Sequence, residues 1–318
     1  MPAGAAGQLA VEAIPIRLSA EEPGPQRLGG LTFVSGFELR SPDRRFGGLS
    51  GLALSADGSM LYAVSDRGFW ISIVTRHDAE GRLIALGAME MADLQTPAGT
   101  PVGSGQRDAE GLTRERDGSF IVSFEQIHRL WRYPPPPAAF RAPAQPVPVP
   151  AELAGAPNNG GIEGVAVLPD GRILMITEEY ENPDGSVKGW FLEQGRFDSV
   201  SYVPSQGFRL TDIAALANGD ILVLERRYGL LSSWAARIKR VSKESLRAGA
   251  RLSGQELARL DPPLVVDNFE GIAVREDPNA GTLVYIISDD NYSPLQRTLL
   301  LQFRLEPLPE SLAPIRQK

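Results

Sequence analysis

Apolar and polar positions in this chain group into short strand-like runs broken by Asp-Gly, Asn-Gly and Pro-Asp-Gly, and a helical period is almost absent. The clearest run is 158–179, where Ile162, Val165, Val167 and Leu168 precede the turn Pro169-Asp170-Gly171, and a second apolar segment spans 173–176. This pattern predicts a hairpin of two sheet strands joined by a tight turn. The same unit recurs at 48–68, 108–126, 210–227 and 268–291. Aligned on Gly51, Gly111, Gly164, Asp212 and Gly271, the copies are 60, 53, 48 and 59 residues apart. A repeat of that length with only strand content predicts an all-β fold, a single closed β-propeller in which each copy supplies one blade of about four antiparallel strands. Five blades account for every strand that can be placed, and a sixth would need strands that the N-terminus barely supplies.

The propeller is expected to span 31–306, with 1–30 as an N-terminal extension and 307–318 as a C-terminal tail. Residues 31–40 read as a strand lying beside 298–305 in the last blade, which would tie the chain ends together and remove an open sheet edge. The proline-rich segment 133–150 reads as an extended strap or an edge, because proline lacks the donor that a central strand needs. Helix formers between 242 and 259 predict one or two short rim helices, and 264–266 reads as the last strand of the fourth blade. His77 is expected beside a hairpin turn and His128 in a strand.

Composition narrows the chemistry. The chain has 318 residues, 42% of them hydrophobic, with 33 Gly and 26 Pro, as suits a turn-rich globular protein with a large core. A net charge of -7 argues against nucleic acid as a partner, since that affinity rests on Lys and Arg facing phosphates. No apolar run is long enough for a membrane span. With no cysteine, disulfides, thiolate nucleophiles and Cys-ligated zinc are excluded. Two histidines are too few for His-rich zinc or iron sites, and neither lies in an acidic motif where a Ser-His-Asp triad would need it. Small molecules and cations remain as the expected partners.

Acidic residues recur at fixed points of the repeat. Beside or at the aligned position stand Ser50, Glu110, Glu163, Asp212 and Glu270, and after the second strands stand Asp66, Glu125, Glu178, Glu225 and Asp289. An isolated acid at a strand end is ordinarily a solvated turn residue. Fivefold repetition would instead gather carboxylates around one axis, where repulsion raises their pKa values unless a cation neutralises them. Oxygen donors at that density suit Ca2+ best and Mg2+ or Mn2+ less well. Glu110, Glu163, Asp212 and Glu270 are the expected metal ligands. Glu163, Glu270, Glu178 and Glu225 are the candidate catalytic groups, with Asp66, Asp289, Arg67 and Arg226 as substrate contacts.

The motifs G-G-L-S-G-L-A with S-D-R-G, D-A-E-G-L with S-F-E, G-I-E-G-V-A with T-E-E, L-E-R, and N-F-E-G-I-A with S-D-D-N resemble those of the bacterial phytase-like, or esterase-like, domain family. The resemblance spans roughly 30–306 and implies hydrolysis of an ester or phosphoester. It also implies export, to the periplasm or beyond. Two classes of function stay open. One is a cation-dependent hydrolase, with lactone hydrolysis as a variant; the other is a non-catalytic propeller that binds a ligand or protein, with calcium as a structural plug.

Overall fold

A computed structural model describes residues 7–19, 26–229 and 232–307. Five small antiparallel sheets form a ring, a five-bladed β-propeller. From the axis outward, blade 1 holds Leu49–Leu54, Met60–Ser65, Phe69–His77 and Leu83–Asp93. Blade 2 holds Ala109–Arg114, Phe120–Phe124, Arg129–Tyr133 and Gln145–Val147, and blade 3 holds Ile162–Val167, Ile173–Glu181, Val187–Glu193 and Arg196–Tyr202. Blade 4 is Arg209–Ala215, Ile221–Gly229, Ser232–Val241 and Gln255–Leu260. Blade 5 begins with Phe269–Asp277, Gly281–Ser288 and Thr298–Leu305, and Leu31–Arg40 completes it, Leu301 facing Gly36 across the join.

The first turns of blades 1 to 4 have the chemistry the strands require. At 57–58, 117–118, 170–171 and 218–219 an Asp or Asn precedes a glycine at φ 70°, 91°, 93° and 94°, a left-handed conformation in which a side chain would be strained. The Asp or Asn side chain then accepts the backbone N–H two residues on, as Asp57 does from Ser59 at 3.0 Å and Asp170 from Arg172 at 3.0 Å.

Inner strands are buried on both faces, because each blade packs against two neighbours. The core is correspondingly divided into five apolar clusters, one in each seam. Between blades 1 and 2, for example, Trp70, Phe120, Tyr133 and Phe140 meet edge to face or tilted. Burying each such side chain contributes on the order of 1.5–3 kcal/mol. No helix among the described residues is long and apolar enough to cross a membrane.

Several expectations change. Residues 1–30 are more than an extension: Gly7–Leu9 pairs with the outer strand of blade 1, and Glu12–Pro15 with Leu31–Arg40. The expected tail lies beyond the described residues after Pro307. In place of rim helices, 242–260 holds one 3-10 turn, Lys243–Ser245, then Arg251–Leu252 parallel to the edge of blade 3, and then Gln255–Leu260. Leu257, Ala258 and Leu260 pack into the seam core there, so tertiary burial overrides a local helix preference. For the same reason 264–266 is not the fourth strand of its blade. The proline-rich strap does end as an edge, Gln145–Val147.

Candidate functional site: the acidic mouth

All five inner strands break step at the same place. The ladder slips between Leu49 and Gly51, Ile162 and Gly164, Leu210 and Asp212, and Phe269 and Gly271, while in blade 2 Glu110 and Gly111 together oppose Ser123. Each slip is a β-bulge, which leaves one residue unpaired and re-aims it. The unpaired residues are Ser50, Glu110, Glu163, Thr211 and Glu270. The residue after each bulge lies against a neighbouring blade: a Cβ on Gly51 would sit 2.5 Å from the carbonyl oxygen of Glu110, and one on Gly271 2.5 Å from that of Ser50. Only glycine allows that approach.

Blade 4 has Asp212 at the glycine position, and its carboxylate crosses the seam to accept from the Ile272 N–H at 2.9 Å while also accepting from Ile213 N–H at 2.8 Å. Fully buried and engaged at both oxygens, Asp212 is a seam residue and does not join the other expected metal ligands. The residue at the bulge of its blade is Thr211.

The second strands give a second ring. Ser65, Phe124, Thr177, Glu225 and Ser288 are cross-strand partners of Leu49, Ala109, Ile162, Leu210 and Phe269. The next residues, Asp66, Glu125, Glu178, Arg226 and Asp289, therefore share one orientation. Glu225 is one step too early and points to the opposite face, since side chains alternate along a strand. There it accepts from Tyr202 Oη at 2.6 Å and Ser205 N–H at 3.0 Å, with Lys239 Nζ at 3.5 Å. Facing away, it does not join the expected catalytic residues at the mouth, where Arg226 stands in its place.

The mouth thus gathers Glu110, Glu163, Glu270, Asp66, Glu125, Glu178 and Asp289, and Asp108 joins them. Oxygens of Asp108, Glu110 and Glu125 lie within 4.8 Å of one another. Burial, reinforced by neighbouring carboxylates, pushes Glu110 and Glu163 far above the usual carboxylate range. Burial first, then Glu178 and Asp108, lifts Glu125 to about 8 although Gly161 N–H donates to it at 2.5 Å. Burial and Glu270 lift Asp289 to about 8, and burial lifts Asp66 to about 6.

Among the described residues, one cation stands inside the cluster. Arg226 Nη1 is 3.1 Å from Glu270 Oε1 and donates to Asn268 Oδ1 at 2.7 Å, and Nη2 is 3.2 Å from Glu178 Oε1. Burial raises Glu178 and Glu270 too, with Arg226 acting against it. Burial works against the charge of Arg226, but four glutamates override it and raise its pKa. Arg67 is exposed at the rim beside Asp66, its guanidinium 3.1 Å from the centre of the Tyr292 ring.

Asp108 and Asn268 were missed in the sequence, although a signal exists. Each stands two residues before a bulge glutamate, the spacing that shares a face on a strand. The histidines remain apart from this chemistry. His77 Nε2 meets Tyr285 Oη at 2.9 Å, and His128, in a turn and not in a strand, has Nε2 2.9 Å from Pro157 O, and among the described residues neither hydrogen-bonds to a serine. Below the carboxylates the bore holds a cavity of about 120 Å³ lined by Leu52, Leu54, Leu112, Ile213 and Ile272, with Thr113 and Arg114 among them.

A family model described as Phytase-like, Esterase-like activity of phytase, matches residues 44–292. No curated protein matches the sequence. Among solved structures, a protein of unknown function from Bacteroides caccae is 10% identical over 74% of this chain and 66% of its own, with a TM-score of 0.33. A streptogramin B lyase is 12% identical over 93% of this chain and 98% of its own, with a TM-score of 0.44. The Malassezia sympodialis allergen Mala s 1 is 12% identical over 92% and 95%, also at 0.44. At such values these likenesses say nothing of chemistry.

Proposed function

The chain belongs to that phytase-like family, and from this premise we propose an exported, metal-dependent hydrolase of ester or phosphoester bonds in small substrates, with Ca2+ as its cation and the acidic mouth as its active site. One observation carries the reading. Glu163 is only 6% exposed, has no hydrogen-bond or ion-pair partner among the described residues, and is surrounded by Glu110, Glu125, Glu178 and Glu270. An unpaired buried carboxylate is costly, so its charge is met by a proton or by a cation from outside.

The donors fit a hard ion. Asp108, Glu110, Glu125 and Glu163 would hold it, and Ca2+ tolerates irregular all-oxygen sites of roughly six to eight ligands, whereas Mg2+ demands an octahedron. When bound, the ion supplies a Lewis acid for a carbonyl or phosphoryl oxygen. The remaining chemistry falls to side chains. Glu178 and Glu270, whose ionised forms Arg226 favours, accept a proton from the attacking water, while Asp289, lifted to about 8, holds a proton at neutral pH for the leaving oxygen. Arg67 and Arg226 meet an anionic group of the substrate, with Asp66 at the same rim.

A panel of chromogenic phosphate, acetate and lactone substrates, run on chelator-stripped protein with and without added Ca2+, tests the reading. Ca2+-dependent turnover of an ester or phosphoester supports it, and turnover of lactones alone makes the protein a lactonase. Absence of turnover with Ca2+ bound leaves a binding propeller in which calcium is structural.

A further inference from the structure

The position at the end of each second strand holds an acid in blades 1, 2, 3 and 5 and Arg226 in blade 4. The three oxygens around that guanidinium are Glu178 Oε1, Glu270 Oε1 and Asn268 Oδ1, two carboxylates and an amide carbonyl. Asn268 is held in that orientation because its Nδ2 donates to Glu270 Oε1 at 2.8 Å. This is a donor set of the kind Ca2+ takes, with a guanidinium at its centre. Across the mouth, Asp108, Glu110, Glu125 and Glu163 have no Arg or Lys within ion-pair distance among the described residues.

We propose that Arg226 is a tethered cation filling a second cation subsite, so that the chain takes a single divalent ion at Asp108, Glu110, Glu125 and Glu163, and removing the guanidinium opens a second subsite at Glu178, Glu270 and Asn268. The proposal rests on the cation reading above and adds why there is a single ion and what keeps it from the other half of the mouth. Carboxylates this close cannot all stay ionised without positive charge among them. Blade 4 supplies part of that charge covalently, and the half of the mouth it serves stays assembled when free ions are removed. The other half has no such residue and depends on the solution. An ion on the axis, shared by Glu178 and Glu270, would have to displace a guanidinium held by three acceptors.

Calorimetric titration of the chelator-stripped full chain with Ca2+ tests this. The wild-type chain is expected to bind one ion, Arg226→Gln two, and Arg226→Lys, which keeps the charge, one. A single ion in both the wild type and a folded Arg226→Gln overturns the proposal, whereas no ion in the wild type overturns the cation reading itself. Glu178→Gln keeps the test decisive if Arg226→Gln does not fold. It should still bind one ion with a Kd within about tenfold of wild type, and loss of the ion would make Glu178 a ligand and overturn the assignment.

Discussion

Blades 3 and 4 are the same hairpin put to different uses. Blade 3 has Glu163 at the bulge, Gly164 after it and Glu178 at the end of the second strand; blade 4 has Thr211, Asp212 and Arg226 at the same three points. Blade 3 offers negative charge that its own residues leave unmet. Blade 4 carries its carboxylates into the seams, Asp212 to Ile272 and Glu225 to Tyr202, and presents a cation to the mouth. Position in the repeat therefore fixes where a side chain points, while residue type decides whether the blade serves the site or the scaffold.

The comparison breaks most visibly at the bulges. Glu163→Gln and Glu270→Gln should each lower kcat by about a hundredfold or more, the usual scale for acid-base and electrostatic groups, with the melting temperature preserved. Wild-type turnover in both folded variants would remove the mouth from catalysis.

A smaller effect is expected from Glu178→Gln, about tenfold in kcat, because Arg226 keeps Glu270 as a second partner. If it costs as much as Glu163→Gln, the cation of blade 4 does not buffer the loss and the contrast fails.

Glu225→Gln should do the reverse of Glu163→Gln. It should leave kcat unchanged and lower stability by about 1–3 kcal/mol, since it weakens buried hydrogen bonds to a charged acceptor. Denaturant unfolding beside the activity assay separates the two outcomes. The exposed control Glu244→Gln, on the 3-10 turn, should change neither.

The pH dependence of stability sharpens the contrast further. Glu125 and Asp289 are raised to about 8 and Asp66 to about 6 in the folded chain, so the native state holds protons that the unfolded state releases near pH 4. Stability must then fall as pH rises from about 4 to about 8. In chelator, the melting temperature should be lower at pH 8 than at pH 5, and added Ca2+ should raise it more at pH 8. A chelated protein that melts higher at pH 8 would show that these carboxyls are not protonated in the fold.

Much of this was legible because period-2 alternation and Asp-Gly turns are local signals. The five hairpins, the blade count and the closure by Leu31–Arg40 followed from them, as did the gathering of Glu110, Glu163, Glu270, Asp66, Glu125, Glu178 and Asp289. What failed needed the register. L-E-R resembles T-E-E by eye, but one residue of offset turns a strand over, and only the pairing of Leu210 with Glu225 reveals that Arg226 is the true counterpart of Glu178. Asp212 was misread because it stands where the other copies have glycine and crosses to another blade. The edge strands at Gly7–Leu9 and Arg251–Leu252 are too short to carry a pattern.

On the cation reading, the lower bore would set an order of events. An ion entering from that end would have to pass the Arg114 guanidinium, which repels it, so the acidic face is the favoured door. A substrate using the same door would lie above the ion. Loading would then be sequential, metal before substrate, with a bound substrate or inhibitor trapping the metal beneath it. Chelator should strip the resting protein quickly and the occupied protein slowly, with a rate set by departure of the organic ligand.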